Sequence, residues 1–384
     1  MFNAVSRLIH EWSQWKAYKA IPLVERGVVL YSEGAGYWTH FEPIVKHWLK
    51  SQQKQFVYLT SDINDPLILD PIDGVKAFYI GMGSIRTLLF SNMQAKLVVM
   101  TTPDLETYFI KRSPYVNHYA YIHHSIVSCH MIYREQAFDH FDSIFCVGPH
   151  HIAEIREREK QAGLPAKKLI EHGYGRLDKL LKSIDGIKKR PLRPADVPGR
   201  VLIAPSWGEN GLLERIGADF IGSLLEYGYQ VVLRPHPRTR CLNPSVIDNI
   251  ELRYSTKSHF RLDEDMSSSK SLFEADVMIS DWSGAALEFA FAYERPVLFI
   301  DVPRKINNPR YLELGREPIE ASIRHRIGRV LSEQELMSIA DAVAGLVDAQ
   351  IDMKTLKSER DRLVYNIGCS GKVGAEALVQ LANL

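Results

Sequence analysis

Short apolar runs of four to six residues recur along the chain, each ending in a polar loop from which a helical pattern starts. Before residue 150 they are Gly27–Tyr31, Gln55–Leu59, Ala77–Ile80, Lys96–Met100, Asn117–Ile122 and Ser143–Val147, with helical stretches such as Pro43–Lys50 and His150–Gln161 between them. Runs that are apolar on both faces, yet too short for buried helices, fit strands of a parallel sheet covered on either side by helices. The rhythm stops at 183–200, a Pro-rich basic stretch that reads as a linker. It restarts with Arg200–Ala204, Gln230–Arg234, Asp276–Ser280 and Pro296–Asp301, and with helices over Gly211–Tyr227 and Ala285–Tyr293. The pattern predicts an α/β chain of two halves with parallel sheets, 1–182 and 201–384, joined by the 183–200 linker. Ligands of open sheets bind beyond the carboxyl ends of the strands. Chemistry is therefore expected in the loops after the strands and in a cleft between the two domains.

Composition narrows the function. Among 384 residues, 47 Lys and Arg face 46 Asp and Glu, a formal net charge of +1, so the global basic field of a nucleic-acid binder is missing. Cys129, Cys146, Cys241 and Cys369 lie far apart, which signals neither a disulfide framework nor a thiolate zinc site. No apolar run approaches the ~20 residues of a membrane span. Residues 1–20 lack the uninterrupted apolar stretch of a signal peptide, and a cytoplasmic location is expected. Residues 2–20 set Phe2, Val5, Leu8, Ile9, Trp12 and Trp15 among Arg7, Lys16 and Lys19 at near-helical spacing. That is either an amphipathic helix packed on the domain or one lying on a membrane surface.

Five loops carry candidate chemistry. In Ala275–Tyr293 a buried strand ends at Ser280, Asp281-Trp282-Ser283-Gly284 follows, and a helix begins. Its free N–H groups and the hydroxyls of Ser280 and Ser283 suit a phosphate, or else Asp281 or Ser283 only caps the helix. In Leu233–Arg240, two prolines stiffen the backbone around His236, and Arg238 is a natural phosphate partner. Tyr119–Ser128 carries His123 and His124, and seven of the fourteen histidines fall between His118 and His151. No carboxylate stands among them at ligand spacing, so a single histidine acting as a base is favoured over a metal site. Glu171–Asp178 and Tyr31–Trp38 are glycine-containing turns after strands. No dinucleotide fingerprint, P-loop or nucleophile elbow is present, and no cofactor is predicted.

The order of these loops resembles the CDP-glycerol glycerophosphotransferase family, the wall teichoic acid primases and polymerases. Ser280-Asp281-Trp282-Ser283-Gly284 is similar to its S/T-D-Y-S-S loop, and Arg234-Pro235-His236-Pro237 to its R-x-H-P segment. Gly173-Tyr174-Gly175-Arg176-Leu177-Asp178 resembles G-Y-P-R-x-D, Ala204-Pro205-Ser206-Trp207 resembles A-P-T-W, and Ser32–Gly36 resembles an early S-x-x-G loop. Ile122-His123-His124-Ser125 stands where the family has W-H-G-T, and the small Ser125 points to His124.

The resemblance implies a GT-B-type fold of two facing Rossmann-like domains, the first on the acceptor side and the second binding the nucleotide donor. It implies a transferase of polyol phosphate, most simply glycerol phosphate from CDP-glycerol. The acceptor would be a hydroxyl of a lipid-linked or polysaccharide chain (a teichoic acid primer, a capsule or an O-antigen), and CMP would leave. It places the enzyme as a peripheral protein on the inner face of the cytoplasmic membrane. His124 would be the general base, and His236 with Arg238 would hold the diphosphate. Arg234, Ser206, Ser280, Asp281, Ser283, Gly284, Gly173 and Arg176 would line the donor. Asp281 would do so by capping a helix or orienting a hydroxyl, because its charge repels phosphate. Ser32, Glu33, Gly36, His123 and Ser125 would face the acceptor, and no metal is implied. Two other readings stand beside it: a GT-B glycosyltransferase or epimerase using a UDP- or GDP-sugar, and a non-catalytic partner of a polysaccharide assembly complex.

Overall fold

Each run expected as a strand is one, with ends within two residues of those expected. The computed structural model describes residues 4–52, 55–185, 197–266, 268–348 and 353–383. They divide into two units: Met1–Ser125, Tyr133–Lys179 and Val364–Leu384 form the first, and Ile126–Ile132 with Leu180–Leu363 the second.

The first unit holds strands β1 (Val28–Ser32), β2 (Phe56–Thr60), β3 (Val75–Tyr79), β4 (Ala95–Met100), β5 (Val116–Ile122), β6 (Ser143–Cys146) and β7 (Lys168–Glu171). They make one parallel sheet in the order β3-β2-β1-β4-β5-β6-β7. Val29, Leu30 and Tyr31 are wholly buried, as are Val98 and Val99, because helices cover both faces. The second unit holds β8 (Arg200–Ile203), β9 (Gln230–Leu233), β10 (Phe260–Leu262), β11 (Val277–Ser280), β12 (Val297–Ile300) and β13 (Gly328–Leu331), parallel in the order β10-β9-β8-β11-β12-β13. In each sheet the order reverses once, at β1/β4 and at β8/β11. The two loops leaving such a pair diverge to opposite faces and leave room for a ligand beyond the strand ends.

The expected boundary at 201–384 needs correction. The Ser370–Ala382 helix packs against Trp38–Gln52 of the first unit. A Cβ at Gly371 would stand 2.5 Å from the Pro43 carbonyl oxygen, and one at Gly374 2.7 Å from Ile44, so only glycine lets these helices approach so closely. In the opposite sense, Ile126–Ile132 belongs to the second unit, where Ser128 N–H donates to Glu320 and the Ile319 N–H donates to the Ser128 hydroxyl. Of the expected linker, 183–185 ends the Gly175–Asp185 helix and Arg200 opens β8, while 186–196 lie outside the described residues. The single helix expected over Gly211–Tyr227 is two, Leu212–Ile216 and Asp219–Glu226, broken at Gly217 with φ 77°. Residues 4–20 form the N-terminal helix. Among the described residues no helix is long and apolar enough to cross a membrane.

Candidate functional site

In the first unit, His124 lies just past the end of β5, beside the β1/β4 reversal. Its Nδ1 is 2.9 Å from the Thr101 carbonyl oxygen, at the end of β4. A carbonyl only accepts, so Nδ1 carries the proton and Nε2 keeps the lone pair. The Tyr133 hydroxyl reaches Nε2 at 3.3 Å and donates to it. Tyr37, from the loop after β1, stands edge-on to the imidazole at 5.1 Å, and the Tyr174 hydroxyl donates to the His124 carbonyl. Burial lowers the His124 pKa to about 4, so the ring is neutral at pH 7 with a basic nitrogen of fixed identity. His123, its neighbour, is instead a core residue. It stacks on His151 at 3.8 Å and burial holds its pKa well below the usual histidine value. The two consecutive histidines past β5 both stand against the Tyr121 ring and differ in their other partners, His151 for His123 and Thr101 with Tyr133 for His124.

In the second unit, Asp281 closes the β8/β11 reversal. Its carboxylate is buried and accepts the Ser206 N–H at 2.7 Å, the Ser206 hydroxyl at 2.9 Å and the Leu212 N–H at 3.0 Å. Burial raises its pKa, and the N–H donors oppose that rise. The loop after β8 is thus pinned to the end of β11, and Trp207 is held in place. Three basic side chains gather on that indole. Lys305 Nζ lies 3.5 Å from the ring centroid and donates to the Trp207 carbonyl, the Arg238 guanidinium lies 4.4 Å away, and the His236 ring 5.9 Å. Among the described residues no carboxylate reaches salt-bridge distance of Arg238 or Lys305. Burial, with the Arg238 charge, lowers the Lys305 pKa to about 8 against the opposing charges of Asp281 and Glu214, and burial with the Lys305 and Arg238 charges lowers that of His236 to about 4. His236 Nδ1 accepts the Arg238 N–H, so its Nε2–H is the free donor. A concentrated set of donors from the loops after β9 and β12, with no salt-bridged carboxylate among the described residues, is what a multiply charged anion needs. Beyond the ends of β11, β12 and β13 lies an open cavity of about 760 Å³, lined by Trp282, Asp301, Arg304 and Arg324 among others.

Several expected site residues are otherwise engaged. Arg234 is buried, and its Nη1 pairs with Asp263 at 2.9 Å and bonds to Ser271, which ties β9 to the end of β10, while its buried Nη2 has no hydrogen-bond partner among the described residues. Ser280 is buried and its hydroxyl donates to the Ala204 carbonyl, and the Ser206 hydroxyl is spent on Asp281. Ser283 caps the Gly284–Tyr293 helix by accepting the Ala285 N–H, which leaves its own proton and the helix start at Gly284 available. Gly173, at φ 93°, permits a close approach of the Tyr365 carbonyl that any Cβ would block at 2.2 Å. Ser32 is buried and donates to the Gly34 carbonyl. Glu33 stands 3.7 Å from Arg86, Gly36 is exposed, Ser125 is half-buried, and Arg176 is half-buried with its charge acting on His40.

Sequence reasoning missed Lys305, Trp207 as a platform, Thr101 and Tyr133. A signal for Lys305 existed, since Arg304-Lys305 follow the β12 end just as His236 and Arg238 follow β9. Among the described residues no group of three His, Cys, Asp or Glu could hold a metal ion.

Two parallel sheets with these reversals define a GT-B-type fold. Residues 139–304 match the family model described as CDP-glycerol:poly(glycerophosphate) glycerophosphotransferase, the resemblance read from the loops. The matched span includes the Asp281, His236 and Ser206 loops and stops short of His124 and Lys305. Among solved structures, the wall teichoic acid polymerase TagF is 14% identical with a TM-score of 0.60, covering 98% of this chain and 95% of that one. A UDP-GlcNAc 2-epimerase from Neisseria meningitidis, bound to UDP-GlcNAc, is also 14% identical, with a TM-score of 0.64 over 92% of this chain and all of that one. At such identities both likenesses show the fold alone. No curated protein sequence matches.

Proposed function

We propose that the chain is a transferase of polyol phosphate, moving glycerol phosphate from CDP-glycerol to a hydroxyl of a lipid-linked or polysaccharide acceptor in cell-surface polymer synthesis. The observation that carries this reading is the Trp207–His236–Arg238–Lys305 cluster, three basic groups with no salt-bridged carboxylate among the described residues, of which Trp207, His236 and Arg238 lie inside the span that matches the glycerophosphotransferase family and Lys305 directly follows it. His236 Nε2–H, Arg238 and Lys305 take the negative charge of the diphosphate and of the departing CMP. Transfer at phosphorus needs such positioning and charge stabilisation more than covalent help. Asp281 holds the loop that carries Trp207 and keeps its own charge turned into N–H groups, away from the phosphates. His124 Nε2 accepts the proton of the acceptor hydroxyl as that oxygen bonds to the β-phosphorus and the bond from phosphorus to CMP breaks. Ser283 and the Gly284 helix start add donors to the nucleotide.

The N-terminal helix supports a peripheral place on a membrane. It turns Glu11 and Tyr18 into the unit and leaves Leu8, Ile9 and Trp12 outside with Arg7, Lys16 and Lys19, an apolar and basic outer face.

The test is nucleotide release by the purified protein from CDP-glycerol and CDP-ribitol, with UDP- and GDP-sugars as controls and a membrane extract as acceptor source. Acceptor-dependent CMP release that is lost in His124→Asn and His236→Ala supports the reading. Silence with CDP-polyols and release of UDP from a sugar donor would move the protein to the glycosyltransferase class.

A further inference from the structure

The loop that follows Thr101 carries an exposed feature with no part in the chemistry above. At its tip Tyr108 and Phe109 are 50% and 59% exposed, their rings 3.9 Å apart. The tip is held by its own bonds, Glu106 N–H to the Ile110 carbonyl and Tyr108 N–H to that of Asp104. Asp104 and Glu106 both adopt left-handed backbone, φ 62° and 68°, which non-glycine residues avoid unless the surroundings hold them there. A fixed pair of large aromatics facing water costs solubility and marks an interaction surface.

The charges around the tip indicate what covers it. The Arg134 guanidinium lies 4.3 Å from the Tyr108 ring and pairs with Asp104, Arg112 pairs with Asp142, and Lys111, directly after the tip, has no carboxylate at salt-bridge distance among the described residues. On the N-terminal helix, Lys16 lies over Trp12 and Lys19 over Trp15. The Ser84–Asn92 helix links the two regions: it packs on the N-terminal helix, and its Arg86 sits 6.0 Å from the Phe109 ring. Rings carrying cations beside exposed aliphatic side chains match the boundary between acyl chains and anionic headgroups.

The same loop touches the base. Thr101, three residues before Asp104, orients His124 through its carbonyl, and Arg134, bonded to Asp104, directly follows Tyr133, which donates to His124 Nε2. We propose that Tyr108 and Phe109 enter an anionic lipid surface together with Leu8, Ile9 and Trp12, and that this docking positions His124 through Asp104, Arg134 and Tyr133. The proposal rests on the membrane-peripheral reading above and adds a second contact and its link to the base. Arg134 and Asp104 are positioning residues; neither touches substrate.

Co-sedimentation of the full chain with phosphatidylglycerol vesicles tests the contact, with phosphatidylcholine vesicles as control. Tyr108→Ser/Phe109→Ser should bind roughly tenfold more weakly, the loss of two half-inserted aromatic side chains. Affinity within twofold of the wild type would overturn the contact. The link is read by NMR from the His124 ring signal, assigned by its absence in His124→Asn. Phosphatidylglycerol nanodiscs should shift it in the wild type and not in Arg134→Gln, both measured at a lipid concentration at which co-sedimentation shows the two proteins fully bound. A His124 signal that lipid leaves unmoved in the wild type would overturn the link. Neither readout uses turnover, so a protein that binds vesicles as expected and releases no nucleotide would sink the transferase reading and leave this one standing.

Discussion

Asp281→Asn keeps the side-chain shape and removes one acceptor. The wild-type carboxylate serves two backbone N–H groups, of Ser206 and Leu212, on different oxygens, and the Ser206 hydroxyl on one of them. An amide has one oxygen and one NH₂. Whichever way it is turned, one of those buried N–H groups meets a donor. An unpaired buried N–H costs about 1–3 kcal/mol, and exchanging charge-assisted bonds for neutral ones costs about 1 kcal/mol more. Against this, the amide is spared the desolvation that raises the Asp281 pKa. The net expectation is destabilisation of about 2–3 kcal/mol at pH 7.

Scanning calorimetry and urea denaturation of the intact chain measure it, with Ser206→Ala as a calibrating variant that removes a single hydroxyl bond and should cost about 1 kcal/mol. A second consequence separates pinning from a purely local loss. The Asp281 charge supports protonation of Lys305, whose pKa is already lowered to about 8. Removing that charge lowers it further, so pyrophosphate binding at pH 8 should weaken more than at pH 6.5. An Asn variant as stable as the wild type, within about 0.5 kcal/mol, would refute the view that Asp281 organises the reversal of the second sheet.

The remaining expectations concern three other residues. Lys305→Met should weaken pyrophosphate binding about tenfold at pH 7, by calorimetric titration; in the wild type the affinity should decline as pH rises through about 8, where Lys305 loses its charge. Equal affinity in variant and wild type would remove Lys305 from the anion site. Arg234→Met leaves Asp263 buried without its cation and should cost about 3–5 kcal/mol, while the folded protein keeps its pyrophosphate affinity; a stable variant that no longer binds pyrophosphate would return Arg234 to the donor site. Burial lowers the His172 pKa to about 4, against about 6.5 in an unfolded chain. The unfolded form therefore takes up the proton first as pH falls, so the contribution is whole above about pH 6.5 and declines toward pH 4, by about 2 kcal/mol at pH 5. His172→Asn should flatten the pH dependence of the melting temperature over that window, and an unchanged slope would contradict it.

How much of this could be read from the sequence depended on where a residue sits in the sheet. The strands that pattern missed, β7, β10 and β13, are all edge strands. Lys168–Glu171, Phe260–Leu262 and Gly328–Leu331 are partly exposed and mix charged with apolar residues, so they lack the unbroken apolar run that marks a strand covered on both faces. The return of Ser370–Ala382 to the first unit was hidden for another reason. Its glycines mark a close approach, and nothing local names Pro43 and Ile44 as the partners. Loop order pointed to His124, His236, Arg238 and Asp281, because strand-end position and residue chemistry are both local properties. The platform Trp207, Thr101 that orients His124, and Lys305 need three-dimensional neighbours from other strands before their parts become visible.

The expected residues that turned out to be engaged share one property. Ser280, Ser206, Ser32 and Arg234 stand at or beside strand ends, where the last backbone groups leave the sheet ladder and must find partners. Small hydroxyls and a buried guanidinium meet that need, which commits each of them to at least one bond within the fold. The groups that keep an acceptor, a donor or a charge turned outward have their other bonds elsewhere: His124 through Nδ1 to Thr101, with Nε2 held only by the Tyr133 hydroxyl, His236 through Nδ1 to the Arg238 N–H, Lys305 on the face of Trp207. In each imidazole one nitrogen is spent on the backbone, and this fixes what the other can do: Nε2 of His124 accepts a proton, and Nε2–H of His236 donates one. The same residue type thereby presents an acceptor nitrogen in the first unit and an N–H donor in the second, the difference on which the proposed roles of base and phosphate donor rest. Exchanging the roles would require Thr101 to present an N–H where it now presents a carbonyl.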